Sequence, residues 1–67
     1  MNFKDNFTAL RKQAGLSQND IAEKLFVTRQ AVSRWEQGET VPEIGTLQAI
    51  SKLFGVTINS LLGYPTD

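Results

Sequence analysis

Glycines and helix-capping residues divide the first 62 residues into segments that each have the length of a helix. Within these segments, apolar residues recur at the i, i+3 and i+4 spacing of one helix face, and no segment alternates as a strand does. Short helices joined by tight turns need no long-range strand pairing. The sequence therefore predicts an all-α fold of five helices: residues 4–14, Ser17 to about Leu25, Thr28 to Gly38, Pro42 to Gly55, and a last short helix that Thr57 caps.

The second and third predicted helices meet at a very short turn. Ser17 and Asp20 have the three-residue spacing of a capping box, which favours a helix start at Ser17. Thr28 is a good N-cap for the next helix, and Gly38 is suited to end it. Only about two residues separate the two helices. This order of signals is typical of a helix-turn-helix.

The chain length and composition exclude several classes of protein. With 67 residues, we expect a single domain over residues 1–67, in which residues 63–67 form a tail or the start of a linker. The absence of cysteine and histidine excludes disulfides, the usual zinc ligands and the commonest general base. Glu36, Glu39 and Glu43 are the only clustered carboxylates, and no nucleophile accompanies them. We therefore expect no enzymatic activity, no metal site and no cofactor.

The net charge of the chain is zero, but the charges are unevenly distributed. Up to Trp35 the chain has six basic and three acidic residues, whereas from Glu36 onward it has one basic and four acidic residues. The basic half contains the third predicted helix, which suits an anionic partner. No apolar run approaches the ~20 residues that cross a bilayer. We therefore expect a cytoplasmic protein with no membrane association.

The third predicted helix has a polar face equipped to bind bases. Steps of four residues relate Arg29 to Ser33 and Gln37, and Gln30 to Arg34, so all five side chains project from one side. Arginine binds the O6 and N7 of guanine, glutamine binds the N6 and N7 of adenine, and serine is small enough to let the helix approach. The apolar spacing places Trp35 on the opposite, inner face, so we expect it in the core.

Combined, these motifs resemble the phage-repressor-like (Cro/C1, Xre) helix-turn-helix family of DNA-binding transcriptional regulators. The resemblance covers residues 8 to 62. It implies a five-helix, lambda-repressor-like domain that binds a double-stranded DNA operator, acts as a repressor and forms a homodimer on DNA. The residues that carry it are Leu10-Arg11, Gly15-Leu16-Ser17-Gln18, Ile21-Ala22, Leu25, Val27 to Ser33, Trp35-Glu36, Gly38, Pro42, Leu47, Ile50 and Leu53 to Val56.

The resemblance also implies roles for particular residues. In that family the residue matching Gln18 binds a phosphate and supports a base-contacting side chain, and the residues matching Arg11 and Glu36 form a structural salt bridge. Ser17 and Thr28 are first of all N-caps, whose helix N-termini also offer N–H groups to phosphate. The predicted DNA-binding residues are Ser17, Gln18, Thr28, Arg29, Gln30, Ser33, Arg34 and Gln37.

This sequence departs from the family pattern at two places. Phe26 stands in the turn where the family has glycine, so a left-handed backbone there would store roughly 1–2 kcal/mol unless packing of the ring offsets it. Glu39 and Glu43 stand where relatives often have basic phosphate contacts. Two alternatives therefore stay open, an antitoxin that represses its own operon and an adaptor that binds proteins through the same fold.

Overall fold

A computed structural model describes residues 2–64, and in this range five α-helices joined by short loops form the structure, with no strand. The five helices are α1 (Phe3–Gln13), α2 (Gln18–Leu25), α3 (Arg29–Gln37), α4 (Ile44–Phe54) and α5 (Ile58–Leu62). The prediction of an all-α, five-helix fold is confirmed. Of the predicted tail or linker at residues 63–67, residues 65–67 lie outside the described part of the chain.

Side-chain caps explain where most of these helices begin. Asn2, Ser17, Thr28 and Thr57 each accept a hydrogen bond from a backbone N–H three residues later. The predicted capping box is confirmed, because Ser17 Oγ accepts from the Asp20 N–H while the Asp20 carboxylate accepts from the Ser17 N–H, both at 2.9 Å. Each cap satisfies an N–H group that a helix start would leave without a partner.

The start of α4 was predicted incorrectly. The helix begins at Ile44 rather than at Pro42, and the extended residue Glu43 precedes it without a side-chain cap. Pro42 is buried in the loop between α3 and α4. Its ring therefore contributes to packing before the helix starts, instead of occupying the first helical turn. The start of α1 differs by a single residue, because Asn2 caps the helix and Phe3 begins it.

The core draws one fully buried side chain from every helix. These side chains are Phe7, Ile21, Val32, Ile50 and Leu61, in chain order. Around them pack further apolar residues, among which Trp35 is only 5% exposed and meets the Phe7 ring edge to face, with centroids 5.7 Å apart. The prediction that Trp35 belongs to the core is confirmed. Because α3 packs against both α1 and α2, its apolar face is covered and its polar face remains outside.

Phe26 forms the corner between α2 and α3 in a strained conformation. Its φ of 58° and ψ of 41° are left-handed, and it is the only non-glycine residue with positive φ in the described range. The ring is 95% exposed, so packing within residues 2–64 does not offset the strain. The corner is nevertheless hydrogen-bonded, because the N–H of Val27 donates to Ala22 O at 3.0 Å. Phe26 thus stands in place of the family's glycine, and no packing of its ring within the described residues offsets the strain of the left-handed backbone.

Replacing this residue by glycine (Phe26→Gly) is expected to stabilise the domain by about 0.5–1 kcal/mol. The substitution relieves roughly 1–2 kcal/mol of left-handed strain, while the freedom of glycine in the unfolded chain offsets about 0.4–1 kcal/mol of that gain. Urea unfolding followed by circular dichroism measures the difference. Phe26→Ala is the matched control, since it removes the ring but keeps the strain, and it should give little gain. A loss of stability in Phe26→Gly would mean that the ring packs against part of the chain.

The capping box predicts a pH dependence at the start of α2. Hydrogen bonds from the backbone and side chain of Ser17 lower the pKa of Asp20 below its ordinary value of 3.8. A carboxyl whose pKa falls on folding stabilises the folded state above its unfolded pKa, and this contribution disappears as the pH drops through the folded value. The difference in unfolding free energy between the wild type and Asp20→Asn should therefore be constant near neutral pH and shrink below about pH 4. Unfolding free energies of the wild type and Asp20→Asn that stay equally far apart as the pH falls would contradict a stabilising role for the ionised Asp20 carboxylate.

Candidate DNA-binding surface

The outer face of α3 brings its predicted base-contacting side chains together. Arg29, Gln30, Arg34 and Gln37 are exposed and Ser33 is half-buried. With Glu39, these residues line one shallow groove of about 220 Å³. The side chains are therefore neither spread over different faces nor covered by the rest of the described chain. This arrangement follows from the apolar spacing of Val32 and Trp35, which turns the opposite face of the helix inward.

Hydrogen bonding within the groove differs from one side chain to the next. Gln37 Nε2 donates to Ser33 Oγ at 3.0 Å, so these two residues support each other one helical turn apart. Arg29 and Arg34 form no ion pair or side-chain hydrogen bond within residues 2–64, where the single salt bridge is elsewhere. Their guanidinium groups are consequently available to an external acceptor. A guanine edge or a phosphate supplies such an acceptor.

An ion pair between Arg11 of α1 and Glu36 of α3 lies beneath this face. Arg11 Nε donates to Glu36 Oε2 at 2.6 Å and Arg11 Nη2 donates to Oε1 at 3.0 Å, so the contact is bidentate. The two side chains are only 13% and 9% exposed. Hydrogen bonding to the Glu36 carboxylate raises the pKa of Arg11 above its ordinary value, and the guanidinium stays charged. Arg11 Nη1 also donates to Leu16 O at 2.9 Å, which ties the loop before α2 to the same pair.

Gln18, the first residue of α2, contacts the same carboxylate. Its Nε2 donates to Glu36 Oε1 at 3.1 Å, and the side chain is half-buried. The structure thus places Gln18 against Glu36, whereas the family resemblance suggested support of a base-contacting side chain. The side-chain carbonyl oxygen of Gln18 accepts no hydrogen bond within residues 2–64, and the α2 N-terminus beside it has N–H groups without a partner inside the helix.

The hydroxyls of Ser17 and Thr28 are both engaged as caps. Ser17 Oγ accepts from Asp20 N, and Thr28 Oγ1 accepts from Ala31 N at 3.1 Å. Both residues are exposed at the N-termini of their helices. Any contact with an anion would therefore come chiefly from the N–H groups that precede the regular hydrogen bonds of α2 and α3.

Glu39 is the groove residue that motif analysis did not assign to the base-contacting face. Gly38 ends α3 in a left-handed conformation with φ of 79°, and the Glu39 N–H then donates to Arg34 O at 3.0 Å. This reversal brings Glu39 back beside the last turn of α3, where it lines the groove. Gly38 after the last turn of α3 is the sequence signal for such a reversal, but it does not specify where the next side chain lies.

The described residues contain neither a membrane-spanning helix nor a cluster of metal ligands. No helix in residues 2–64 combines the length and hydropathy that crossing a bilayer requires. The same residues contain no group of three or more acidic, histidine or cysteine side chains close enough to hold a metal ion.

The fold and this surface define a helix-turn-helix domain, in which a short corner joins two capped helices and the second presents polar side chains outward. Residues 8–61 match the family described as Helix-turn-helix, and the chain belongs to that family. This family membership confirms the resemblance to Cro/C1-type DNA-binding regulators of transcription.

Relatives and solved structures of the same kind are similar over most of this chain. The HTH-type transcriptional activator BcrR of Enterococcus faecalis is 44% identical over 62 residues, which are 92% of this chain and 30% of that protein. A transcriptional regulator from Listeria innocua is 35% identical with a TM-score of 0.91, covering 98% of this chain and 62% of that one. The DNA-binding domain of the P22 c2 repressor is 28% identical with a TM-score of 0.83, covering 91% and 80%. The chain therefore spans less than two thirds of BcrR and of the Listeria protein.

Removal of the shared acceptor by Glu36→Ala is expected to destabilise the domain by about 2–4 kcal/mol. The change leaves a largely buried guanidinium without its partner, and breaking a buried pair from one side is strongly destabilising. Chemical unfolding measures the loss. Glu23→Ala removes a carboxylate from the exposed surface of α2, and it should change stability by no more than about 0.5 kcal/mol. Equal effects of the two substitutions would show that the ion pair does not hold α1 against α3.

Proposed function

We propose that residues 1–67 form the DNA-binding domain of a transcriptional regulator that inserts α3 into the major groove of an operator. The observation that supports this best is the groove on α3, where Arg29, Gln30 and Arg34 are exposed side by side and the two guanidinium groups have no partner in the described chain. Desolvating two cations is favourable only where acceptors replace water. The guanine edge in the major groove offers two acceptors in the geometry that an arginine fork matches.

The helix ends would supply the contacts that position the domain. The N-termini of α2 and α3 have exposed caps at Ser17 and Thr28, and Gln18 lies at the first position of α2. Partial positive charge at a helix N-terminus favours a phosphate oxygen. Contacts of this kind fix the orientation of the protein on DNA, and the α3 side chains then distinguish bases.

Repression by a homodimer is our proposal for the mode of action. A domain bound over a promoter excludes polymerase, and the structurally similar P22 c2 protein is a repressor by name. BcrR is named an activator, so the same domain type also occurs in a protein of opposite effect. Two copies related by a two-fold axis would place their α3 helices about 34 Å apart on a nearly palindromic site. In a cell without a nucleus, the chromosome that carries the operator lies in the cytoplasm. We therefore propose that this protein acts in the cytoplasm.

Selection of bound duplexes from a random pool, at a stated salt concentration, tests this function. We expect an enriched, nearly palindromic sequence whose half-sites are about 10 base pairs apart. Against that sequence, Arg29→Ala and Arg34→Ala should each weaken binding roughly 5- to 100-fold, since a bidentate base contact is worth about 1–3 kcal/mol. Circular dichroism should show an unchanged fold, because both side chains are exposed.

A matched control separates base contact from loss of charge. Lys52→Ala also removes one positive charge, but Lys52 is an exposed residue of α4 and does not line the groove. It should change binding little. If the pool yields no enriched sequence, DNA binding is wrong and the protein-binding adaptor becomes the better hypothesis. If a sequence is enriched but both arginine variants bind it as well as the wild type, binding through α3 is wrong.

A further inference from the structure

We propose that Glu39 recognises cytosine at the end of each half-site, an inference that rests on the proposed function of α3. Glu39 is the only acidic residue among those that line the α3 groove. In a protein that approaches phosphates, a carboxylate in this position is unfavourable unless it accepts a hydrogen bond from a base. Its placement therefore points to a specific partner.

The backbone fixes where Glu39 lies. Gly38 turns the chain back, and the Glu39 N–H donates to Arg34 O at 3.0 Å, so residue 39 remains attached to the last turn of α3. Within residues 2–64, no ion pair connects the Glu39 carboxylate to Arg29 or Arg34, although all three line the groove. The carboxylate is thus an exposed acceptor held beside two exposed donors.

The hydrogen-bonding groups have an order along α3. The guanidinium groups of Arg29 and Arg34 are donors at the start and the middle of the helix, while one N–H of Gln37 is used on Ser33. Among the residues that line the groove, the only negatively charged acceptor is the carboxylate of Glu39, beside the C-terminal end of the helix. From Arg29 to Gln37 the helix rises about 12 Å, which corresponds to roughly three to four base pairs, and Glu39 lies beside its last turn. A half-site with guanines at one end and a donor-bearing base at the other would match this order.

Cytosine is the base that a carboxylate distinguishes best. In the major groove, guanine presents two acceptors and thymine presents an acceptor and a methyl group, so both repel or exclude a carboxylate. Adenine has an amino donor, but its N7 acceptor is adjacent to it. Cytosine presents the N4 amino donor without an acceptor. General repulsion from phosphate is weaker, on the order of five-fold at 4 Å in water, and it does not depend on sequence.

Glu39→Gln and Glu43→Gln make the decisive comparison. Both remove one negative charge from the segment after α3, but Glu43 is outside the groove and makes no cap hydrogen bond. The probes are the duplex that the wild type selects and a second duplex in which the cytosine-guanine pair is replaced by thymine-adenine in each half-site. Wild type and Glu43→Gln should prefer the first duplex by about 10- to 100-fold per half-site. Glu39→Gln should lower that preference to about three-fold or less, with stronger binding to the thymine duplex.

The outcomes separate this inference from the function on which it rests. If the wild type selects no cytosine at the end of the half-site, or if Glu39→Gln keeps the wild-type preference, the role of Glu39 is wrong while DNA binding through α3 stands. If Glu39→Gln and Glu43→Gln raise affinity equally for both duplexes, Glu39 acts only by general repulsion and the inference is also overturned. If the wild type enriches no sequence at all, the proposed function itself fails.

Discussion

The carboxylate of Glu36 holds three helices in register. Located near the end of α3, it accepts hydrogen bonds from Arg11 of α1 and from Gln18 of α2, at 2.6–3.1 Å. Desolvation of such a pair offsets much of its Coulomb energy, so its main effect is on geometry. Apolar packing of Val32 and Trp35 is non-directional, whereas a bidentate ion pair that is only 9–13% exposed has a defined geometry. The direction of the outer face of α3 therefore depends on a polar contact beneath it.

The same short helix serves both the core and the proposed DNA contact. One side of α3 contributes Val32 and Trp35 to the core, and the other presents Arg29 and Arg34 to solvent. A chain of this size buries only about 60% of its unfolded surface, so it has little stability in reserve for strain. The left-handed Phe26 is held in place by the caps of the two flanking helices at Ser17 and Thr28, by the Val27 N–H bond to Ala22 O, and by the core on which both helices pack.

Local sequence signals predicted the helices and their apolar and polar faces. They could not predict contacts between residues that are distant in the sequence. The capping box at Ser17, the cap at Thr28 and the apolar spacing around Trp35 involve residues within one or two turns, so each could be predicted from the sequence. The hydrogen-bond partner of Gln18 could not be predicted in this way, because its contact with Glu36 spans 18 residues and depends on how two helices pack. Pro42 was misassigned because its burial is decided by the core rather than by its preference for a first helical turn. The position of Glu39 in the α3 groove could not be predicted either, because it depends on the direction in which the chain leaves Gly38.

The charge distribution favours selectivity over general attraction to DNA. Binding that is independent of sequence grows with the number of phosphates neutralised, and its logarithm falls by about 0.9 per phosphate for each tenfold rise in salt. With seven basic and seven acidic residues, this chain has no excess of cations to drive such binding. Two of its three arginines instead line one groove, and a carboxylate lies beside them. Under the proposed function, such a domain would gain affinity chiefly where bases complement both charges, which would suppress binding to the many competing sites of a genome.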